Sequence, residues 1–514
     1  MAKHATPHRM KNMLFLLSLF ATLTSAKQPN IVFIFSDDHA CHAISAYGSK
    51  INQTPNIDRI ANEGGIFLNS FCVNSICGPS RATVLTGKHS HKNGFLGNGS
   101  GPFDGKQFTF PKALQKAGYT TALIGKWHLK SEPTGFDYWD ILPGQGAYYN
   151  PDFIGQAGKR RITGYCTTIT TDLALDWMKQ TENEKPFLLM CQYKAPHRTW
   201  APDLKHLDNY VDEDLPEPET LFDDYQNRSP SLARNAMSID KHFYYHYDLK
   251  VHQEVPFASQ RETRLKDGEY RRMNDEQKAK WDAAFKPRND AFLKAAPQGK
   301  DLVRWKYQRY VKNYVRTIDS VDENIGRVLE YLDKSGLADN TIIIYSSDQG
   351  FYLGDHGWYD KRWMYEESFR MPFVIRWPGK IKAGSKFEQL IQNIDYAPTF
   401  LEVAGIRIPD DVQGNSLVPL FNNPKNTHWR KSIYYHYYEH GGEHQVPRHE
   451  GVRNERYKLI NFYANDGYNL IDLENDPNEM INVANNPEYK EVLASMTAEL
   501  ARLRKAYDLP ALKR

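Results

Sequence analysis

A thiol and a guanidinium group lie four residues apart in the segment 77–87, which reads Cys-Gly-Pro-Ser-Arg-Ala-Thr-Val-Leu-Thr-Gly. If this segment enters a helix, one turn brings Arg81 back beside Cys77, so that a cation stands next to a potential nucleophile. A single free cysteine is more often a small buried hydrophobe, and that interpretation requires no chemistry. Cys77 and Arg81 are therefore the first candidates for a catalytic role.

Further charged and titratable residues follow short apolar runs that are typical of buried strands. The run 30–35 (Asn-Ile-Val-Phe-Ile-Phe) leads to Asp37 and Asp38. Adjacent carboxylates supply the oxygen ligands that a hard divalent cation prefers, although aspartates also commonly form turns and helix caps. Three more runs end in the same way, with Lys126 and His128 after 119–124, His197 after 186–190, and Asp348 and Gln349 after 341–345.

The elements that must position these residues alternate between strand and helix. An apolar strand, a polar terminus and a helix recur four or five times, which predicts an α/β fold with a doubly wound sheet and helices on both faces. The carboxyl ends of parallel strands meet at one edge, so the polar termini should converge. Helical spacing predicts helices over 168–179 and 303–332. Between about 201 and 301 the sequence is polar and Tyr-rich without strand periodicity, which predicts an insertion of helices and loops.

The last hundred residues differ from this pattern. The segment 413–417 (Gln-Gly-Asn-Ser-Leu) indicates a boundary, and we predict a C-terminal α+β domain over 416–514. Its expected antiparallel strands are 432–438, 457–462 and 468–472, followed by a charged helix over 487–503.

The first 26 residues are typical of a secretory signal peptide. Three basic residues precede the apolar run 13–23, and small residues lead to an expected cleavage after Ala26. This predicts a periplasmic or secreted protein. Removal of the signal peptide leaves 62 Lys and Arg against 62 Asp and Glu. This balance of charge disfavours nucleic acid as a partner. No later run resembles a transmembrane helix, so no integral membrane segment is expected.

The cysteine count leaves the pairing of thiols open. The chain has five cysteines, and four remain if Cys77 is chemically consumed, namely Cys41, Cys72, Cys166 and Cys191. An exported protein can pair such residues, but their spacing does not fix the partners.

The segment 77–87 resembles the signature of the sulfatase family, Cys-x-Pro-Ser-Arg followed by Leu-Thr-Gly. The resemblance extends over essentially the whole mature chain. It implies an alkaline-phosphatase-like mixed sheet in a catalytic domain over 27–415. In the formylglycine-dependent (type I) members, the cysteine corresponding to Cys77 is oxidised to formylglycine (3-oxoalanine), and the hydrate of this aldehyde attacks the sulfur of a sulfate ester. A formylglycine-generating or anaerobic sulfatase-maturating enzyme is the implied partner.

The same resemblance implies roles for the other candidates. One calcium ion would be held by the oxidised Cys77 and by Asp37, Asp38, Asp348 and Gln349. The family more often has Asn or His at the position of Gln349, whose amide still offers a carbonyl oxygen. Lys126 and Lys361 match the lysines that bind sulfate. His197 matches the general acid, and His128 matches the base that takes a proton from the hydrate.

The segment 434–438 (Tyr-Tyr-His-Tyr-Tyr), with His444, Arg448 and His449, is similar to bacterial carbohydrate sulfatases close to the N-acetylglucosamine-6-sulfatases. The similarity implies that these three residues contact the sugar, although an aromatic face packed on the large domain would explain the same pattern. We predict a sulfated carbohydrate substrate, in particular N-acetylglucosamine-6-sulfate or a related glycosaminoglycan or polysaccharide unit.

Three other functions remain open at this stage. A phosphate or phosphonate monoester hydrolase of the same superfamily would share the fold and the modified cysteine. A glycan-binding relative without turnover would be expected to have lost at least one of the six catalytic candidates, all of which are present. A heparin-like adhesion module is disfavoured by the balanced charge of the mature chain.

Overall fold

A computed structural model describes residues 1, 28–181, 185–423, 425, 428–464 and 466–512. The predicted signal peptide and its cleavage site lie outside the described residues, apart from Met1.

The described chain contains a large mixed sheet and a smaller antiparallel one. The strands are β1 (Asn30–Ser36), β2 (Gly65–Phe67), β3 (Ser70–Phe71), β4 (Thr120–Lys126), β5 (Tyr138–Leu142), β6 (Asp152–Gly155), β7 (Gly158–Arg161), β8 (Phe187–Gln192), β9 (Thr341–Ser347), β10 (Tyr352–Leu353), β11 (Tyr359–Asp360), β12 (Phe373–Arg376), β13 (Ser385–Phe387), β14 (Ile391–Gln392), β15 (Ser432–Tyr437), β16 (His449–Asn454), β17 (Tyr457–Phe462) and β18 (Gly467–Asp472). The large sheet has ten strands in the order β13-β2-β12-β9-β1-β8-β4-β5-β6-β7. Its five central strands, from β9 to β5, are mutually parallel, whereas β12 and β6 join them antiparallel.

The helices are α1 (Pro55–Glu63), α2 (Cys77–Thr86), α3 (Ser90–Asn93), α4 (Phe110–Lys116), α5 (Cys166–Gln180), α6 (Ser231–Arg234), α7 (Ile239–His242), α8 (Gln260–Thr263), α9 (Gly268–Arg272), α10 (Asp275–Ala295), α11 (Gly299–Lys334), α12 (Glu366–Phe369), α13 (Tyr396–Val403), α14 (Val418–Asn422) and α15 (Lys490–Ala506). They cover both faces of the sheet. Side chains alternate along β1, so that Phe33 packs with α2, α4 and α13, while Val32 packs with α1, α5 and the C-terminal half of α11. The predicted doubly wound mixed sheet with helices on both faces is confirmed.

Most predicted elements are present with shifted ends. The helices expected over 168–179 and 303–332 are α5 and the 36-residue α11. The segment 201–301 contains helices and loops and no strand among its residues, all of which the structure describes. The smaller C-terminal sheet has the order β15-β16-β17-β18, with α15 packed against it. One of its strands, β16, was not predicted.

All five cysteines are buried free thiols, so Cys41, Cys72, Cys166 and Cys191 form no disulfide. Among the described residues, no helix combines the length and apolar character needed to cross a membrane.

Candidate active site

Four adjacent strands of the large sheet end at the same edge and carry candidate residues there. In the order β9-β1-β8-β4, Ser36 is level with Ser347, and Gln192 is level with Phe35 and Gly125. The chain segments that follow these strands therefore meet at the carboxyl ends of the parallel strands, where α/β sheets place their binding sites. The residues brought together in this way are Asp37 and Asp38 after β1, Lys126 at the end of β4, Lys194 and His197 after β8, and Asp348 and Gln349 after β9.

Helix α2 brings the thiol to this edge. Cys77 is its first residue, and all ten residues of the helix are buried. A Cβ atom at Gly78 would approach the ring of Phe95 to 2.5 Å, so a larger residue does not fit beside the thiol. Gly87 ends the helix with φ of 65°, a conformation that glycine adopts without strain. The sequence around Cys77 is thus fitted to a tightly packed helix whose N-terminus faces the strand ends.

Three buried carboxylates form the acidic part of the site. Oxygen atoms of Asp37, Asp38 and Asp348 all lie within 4.8 Å of one another. Burial raises the pKa of Asp38 to about 7, against the opposing effect of Lys361, and Asp348 raises it further. Asp38 therefore does not ionise readily beside the other carboxylates unless more positive charge is supplied.

Cations are paired with each of these carboxylates. Arg81 lies 3.0 Å from Asp348 through Nη2, and Lys361 donates to Asp38 at 2.7 Å. Lys126 donates to Asp37. Burial lowers the pKa of Lys361, but Asp38, Cys77 and Asp360 together outweigh burial and raise it above its usual value. The expected helical return of Arg81 to the vicinity of Cys77 is realised, and Arg81 is anchored by its donation to Gln192 at 2.5 Å.

Two histidines face the same space and are uncharged there. Nε2 of His197 lies 3.8 Å from Asp38, and its Nδ1 donates to the carbonyl of Arg198 at 2.6 Å. Burial, with Lys126 and Lys361, holds the pKa of His197 well below its usual value. Burial and the same cations lower the pKa of His128 to about 2, and its Nδ1 has no hydrogen-bond partner among the described residues.

The carboxylate cluster fits a hard divalent cation. Two buried acceptor atoms at the cluster, Oδ1 of Asp37 and Oε1 of the neighbouring Gln349, accept no hydrogen bond from the described residues. The amide nitrogen of Gln349 faces Asp38. A half-turn of this amide would present its oxygen instead, which is favourable only with a cation between the two groups. An all-oxygen ligand set of this kind is typical of calcium rather than zinc.

The loop that carries Lys361 has an unusual backbone. Its neighbours Asp360 and Arg362 adopt φ of 77° and 91°, a region in which side chains other than glycine are strained. This twist directs Lys361 onto Asp38, while Arg362 donates to Asp360 at 2.7 Å. His444 approaches the same Asp360, with Nε2 3.5 Å from its carboxylate. The C-terminal segment thus reaches the active-site loop through His444.

The other two predicted sugar-binding residues are placed differently. His449 is fully buried, and its ring lies among those of Trp363, Tyr435, Tyr437 and Phe462. Arg448 lines a separate cavity of about 220 Å³. The structure therefore does not bring these two side chains next to Lys361, whereas it does so for His444.

Sequence reasoning missed three polar side chains that complete the site. Gln192 accepts from Arg81, Gln145 accepts from Lys126 at 2.5 Å, and Lys194 is a buried cation whose pKa is lowered by burial. Lys194 and Gln145 also line a cavity of about 550 Å³ that opens beside His197. Lys194 lies directly after β8, as His197 does, so its position at a strand end was a signal that the sequence contained. Gln145 lies in a loop and gave no such signal.

The fold and site define a hydrolytic enzyme that binds a tetrahedral oxyanion at the strand ends of a doubly wound sheet. The chain matches the family described as Sulfatase over residues 29–406, and the family described as N-sulphoglucosamine sulphohydrolase, C-terminal, over residues 354–506. It belongs to the sulfatase family, whose members are sulfate ester hydrolases.

Individual relatives cover nearly the whole chain. It is 48% identical to the N-acetylglucosamine-6-O-sulfatase of Bacteroides thetaiotaomicron over 94% of this chain and 87% of that protein. A solved structure in complex with its substrate, D-glucosamine-2-N,6-O-disulfate, is 47% identical, with a TM-score of 0.90 over 94% of this chain and 98% of the other. The phosphonate monoester hydrolase of Agrobacterium radiobacter has a TM-score of 0.68 at 20% identity over 93% and 96% of the two chains, which shows the common fold alone.

Proposed function

We propose that this protein hydrolyses the 6-O-sulfate ester of glucosamine units, N-acetylated or N-sulfated, in a sulfated glycosaminoglycan or related polysaccharide. The observation that carries this proposal is the intact set of thiol, carboxylates, cations and histidines at one sheet edge. The 48% identity to an N-acetylglucosamine-6-O-sulfatase over nearly the full chain supports the choice of sugar. So does the similarity to a structure whose bound substrate carries a 6-O-sulfate.

The environment of Cys77 argues against the thiol itself as nucleophile. Burial raises the pKa of this thiol far above its ordinary value, and Asp348 and Asp38 add to the effect against Lys361. A thiolate is therefore scarce at neutral pH. Oxidised to formylglycine, Cys77 would supply an aldehyde hydrate whose hydroxyl attacks sulfur. We propose this modification, made by a formylglycine-generating or anaerobic sulfatase-maturating enzyme.

The cations bind and orient the sulfate group. Lys126, Lys194 and Lys361 surround the space in front of Cys77 and affect one another's pKa or that of the thiol. Burial lowers the pKa of Lys126 and of Lys194, so the negative charge of a bound sulfate group favours their charged forms, and packing holds the side chains in position before substrate arrives. Arg81 ties Asp348 to the carbonyl of Lys126 at 3.0 Å and so keeps two strand ends in register.

The two histidines move protons at defined atoms. Nδ1 of His197 is committed to a backbone carbonyl, so the second proton of the charged ring would be held on Nε2, the atom that faces the site. A bound sulfate ester offsets the lysines that lower the pKa of His197, which favours the charged ring and its donation to the leaving oxygen. His128 stays neutral and has a free Nδ1, which suits it to accept a proton from the nucleophile.

One calcium ion is proposed to be held by Asp37, Asp38, Asp348 and Gln349. When bound, such a cation polarises a sulfate oxygen and compensates the carboxylates. Elemental analysis of the purified protein before and after dialysis against a chelator would test this ligand set, with about one calcium per chain expected before dialysis.

The sugar is proposed to contact the polar loop next to Lys361. Asp360, Arg362 and His444 form a connected set there, and carboxylate, guanidinium and imidazole groups are suited to bind sugar hydroxyls. Glu439 accepts from Arg362 at 3.1 Å and from the backbone N–H of Asn98, which links this set to the loop that follows α3. The signal-like N-terminal sequence supports a periplasmic or secreted location, where sulfated polysaccharides are accessible.

The experiment is a sulfate-release assay on N-acetylglucosamine-6-sulfate, glucosamine-2-N,6-O-disulfate, galactose-6-sulfate, glucosamine-3-sulfate and a matched aryl phosphate. We expect kcat/KM on the two 6-sulfated glucosamines to exceed that on the other compounds by about 100-fold or more, since buried polar groups reject mismatched hydroxyls strongly. Comparable rates on the phosphate would instead support the phosphomonoesterase alternative. Binding without release of sulfate would support the non-catalytic alternative.

A further inference from the structure

A second group of buried cations lies along α11, away from the active site. A cavity of about 600 Å³ is lined by five basic residues and two acidic ones, namely Arg288, Arg304, Arg309, Lys312 and Arg316 with Asp214 and Glu217. Arg309 and Arg316 are two turns apart on α11 and so share one side of the helix. Tyr310 and Tyr314 project from a different side, where Tyr314 donates to the backbone of Asp38. The cavity and the active site thus lie on different faces of one helix.

No carboxylate of the described residues lies within ion-pair distance of the two inner arginines of this cavity, although Asp319 and Asp208 attract Arg316 from farther away. Arg309 and Arg316 are 8% and 3% exposed, and neither forms an ion pair with a carboxylate of the described residues. Arg309 donates only to neutral oxygens, the carbonyl of Leu249 and the side chain of Asn289. Arg316 likewise donates to a carbonyl and to an Asn side chain, at Asn209 and Asn313. Buried arginines ordinarily form ion pairs with carboxylates. Two neighbouring buried arginines without such a pair therefore indicate positive charge that is available to an external anion.

The outer cations of the cavity have acidic partners that range from partly exposed, as Glu217 beside Arg304 at 32%, to largely exposed. Asp208, which pairs with Arg288, is 89% exposed, and Asp214, which pairs with Lys312, is 88% exposed. Water screens such carboxylates, so they compensate the inner arginines weakly. Accordingly, burial and the neighbouring Arg316 and Arg288 lower the pKa of Arg309 to about 9. Burial and Arg288 likewise lower the pKa of Arg316 to about 10, against the weaker opposing attraction of Asp319 and Asp208.

The protein also holds these guanidinium groups in place. Arg309 lies over the rings of Phe285 and Trp305, at 5.4 and 5.1 Å from their centroids. Gln308 exchanges two hydrogen bonds with the backbone of Leu215, which fixes the loop that closes one side of the cavity. The Nε and Nη2 groups of Arg309, and Nη2 of Arg316, donate to no other group among the described residues. They remain available as donors in a fixed geometry.

We propose that this cavity is a second binding site for a tetrahedral oxyanion, either free sulfate or the sulfate group of a saccharide chain. Guanidinium groups match the oxygens of sulfate with paired, charge-assisted hydrogen bonds. The volume exceeds the needs of one sulfate ion and lies in the range of pockets that admit a sugar unit. The site is separate from the hydrolytic centre, and the inference stands whether or not the proposed sugar specificity holds.

The first test locates the anion directly. Crystals of the full protein are soaked in sodium selenate, a tetrahedral oxyanion with a strong anomalous signal. We expect an anomalous peak within hydrogen-bond distance of Arg309 and Arg316, in addition to a peak at the hydrolytic centre. Occupancy at the hydrolytic centre without a peak between the two arginines would overturn the proposal.

The second test measures affinity in solution at constant ionic strength. Calorimetric titrations with sodium sulfate and with a 6-sulfated disaccharide compare the wild type, Arg309→Gln/Arg316→Gln, and the control Arg327→Gln. The control removes a charge from the same helix outside the cavity, where Arg327 pairs with Asp172. We expect the double variant to bind at least one of the two ligands at this site about tenfold more weakly or worse, with the control unchanged.

The response to each ligand identifies the source of the anion. A loss for sulfate and disaccharide alike indicates a site for the sulfate group itself, and a loss for the disaccharide alone indicates a glycan site. Unchanged titrations of both ligands in a double variant that still folds would refute the proposal. Folding is checked by hydrolysis of a monosaccharide substrate, which the double variant should retain, and Arg309→Lys/Arg316→Lys serves as a second variant if the first does not fold.

Discussion

Two of the regions that hold buried cations among the described residues, the sheet edge and the cavity along α11, differ in the partners of those cations. At the sheet edge, Arg81, Lys126 and Lys361 each contact a buried carboxylate. In the cavity along α11, Arg309 and Arg316 contact none among the described residues. The first arrangement binds positive charge into a network that positions reacting groups and leaves room for a divalent cation. The second leaves positive charge that is only partly compensated, as an anion-binding site requires. The pairing of a buried cation therefore indicates its use better than its burial does.

The largest expected effect is that of Cys77→Ala, which disables the sheet-edge region alone. Loss of the nucleophile should lower kcat/KM for sulfate release on the order of 10⁴-fold or more. The free energy of unfolding should change by only about 1 kcal/mol, because the replacement removes one buried sulfur atom. Kinetics and urea unfolding of the same preparations check both points. Unfolding of the variant, rather than inactivity, would assign Cys77 to the core.

The next effect concerns His197. In His197→Ala, sulfate release from an alkyl ester such as a sugar sulfate should fall on the order of 10³-fold, because the leaving oxygen loses its proton donor. An aryl sulfate with a good leaving group needs no such proton and should lose about tenfold or less. The ratio of the two losses is the measurement. Equal losses on both esters would remove His197 from the general-acid role.

The paired nature of the sheet-edge cations is tested by Lys361→Gln. Removing this cation leaves Asp38 buried beside Asp37 and Asp348, so the free energy of unfolding should fall by about 3 kcal/mol. Urea unfolding in a chelator at pH 8 is the appropriate measurement, since no divalent ion then compensates the carboxylates. Asp38→Asn/Lys361→Gln should recover part of the loss, and a single variant as stable as the wild type would contradict the pairing argument.

The smallest expected effect is that of Arg309→Gln, the variant in the cavity that corresponds to Lys361→Gln at the sheet edge. Arg309→Gln removes a buried charge that has no carboxylate partner, so the free energy of unfolding should change by less than about 1 kcal/mol. The same urea titration, run beside Lys361→Gln, makes the comparison. A loss as large as that of Lys361→Gln would show that Arg309 is part of an essential internal network and would remove the contrast between the two regions.

Much of the fold was accessible from the sequence because its central strands are continuous apolar runs. Strands such as β1 and β9 are buried on both faces, and their polar ends mark the site. Strand β16 (His-Glu-Gly-Val-Arg-Asn) was not predicted, because its polar side chains form internal pairs. Glu450 accepts from Tyr434 and contacts Arg504, and Arg453 contacts Glu366. Partners of this kind lie far apart in the sequence and leave no periodic pattern.

The residues of the candidate site likewise fall into those that the sequence predicts and those that only tertiary contacts reveal. Strand ends and the segment 77–87 indicated its charged residues, whereas the loop residue Gln145 enters only through its tertiary contact with Lys126. His449 was interpreted as a sugar contact from its neighbours in sequence, yet aromatic rings enclose it. The cavity along α11 could not be predicted from the sequence, for a different reason. Helical spacing groups Arg309 with Arg316, but the missing carboxylates become apparent only once 209–217 and α10 are packed beside them.

The central claim is that hydrolysis depends on oxidised Cys77 within this ring of cations. The most direct test is peptide mass spectrometry of the segment containing Cys77, on preparations made with and without a sulfatase-maturating enzyme, compared with their rates of sulfate release. We predict that the rate is proportional to the fraction of Cys77 present as aldehyde and extrapolates to zero when the thiol is intact. Full activity in a preparation whose Cys77 is entirely unmodified would contradict the account.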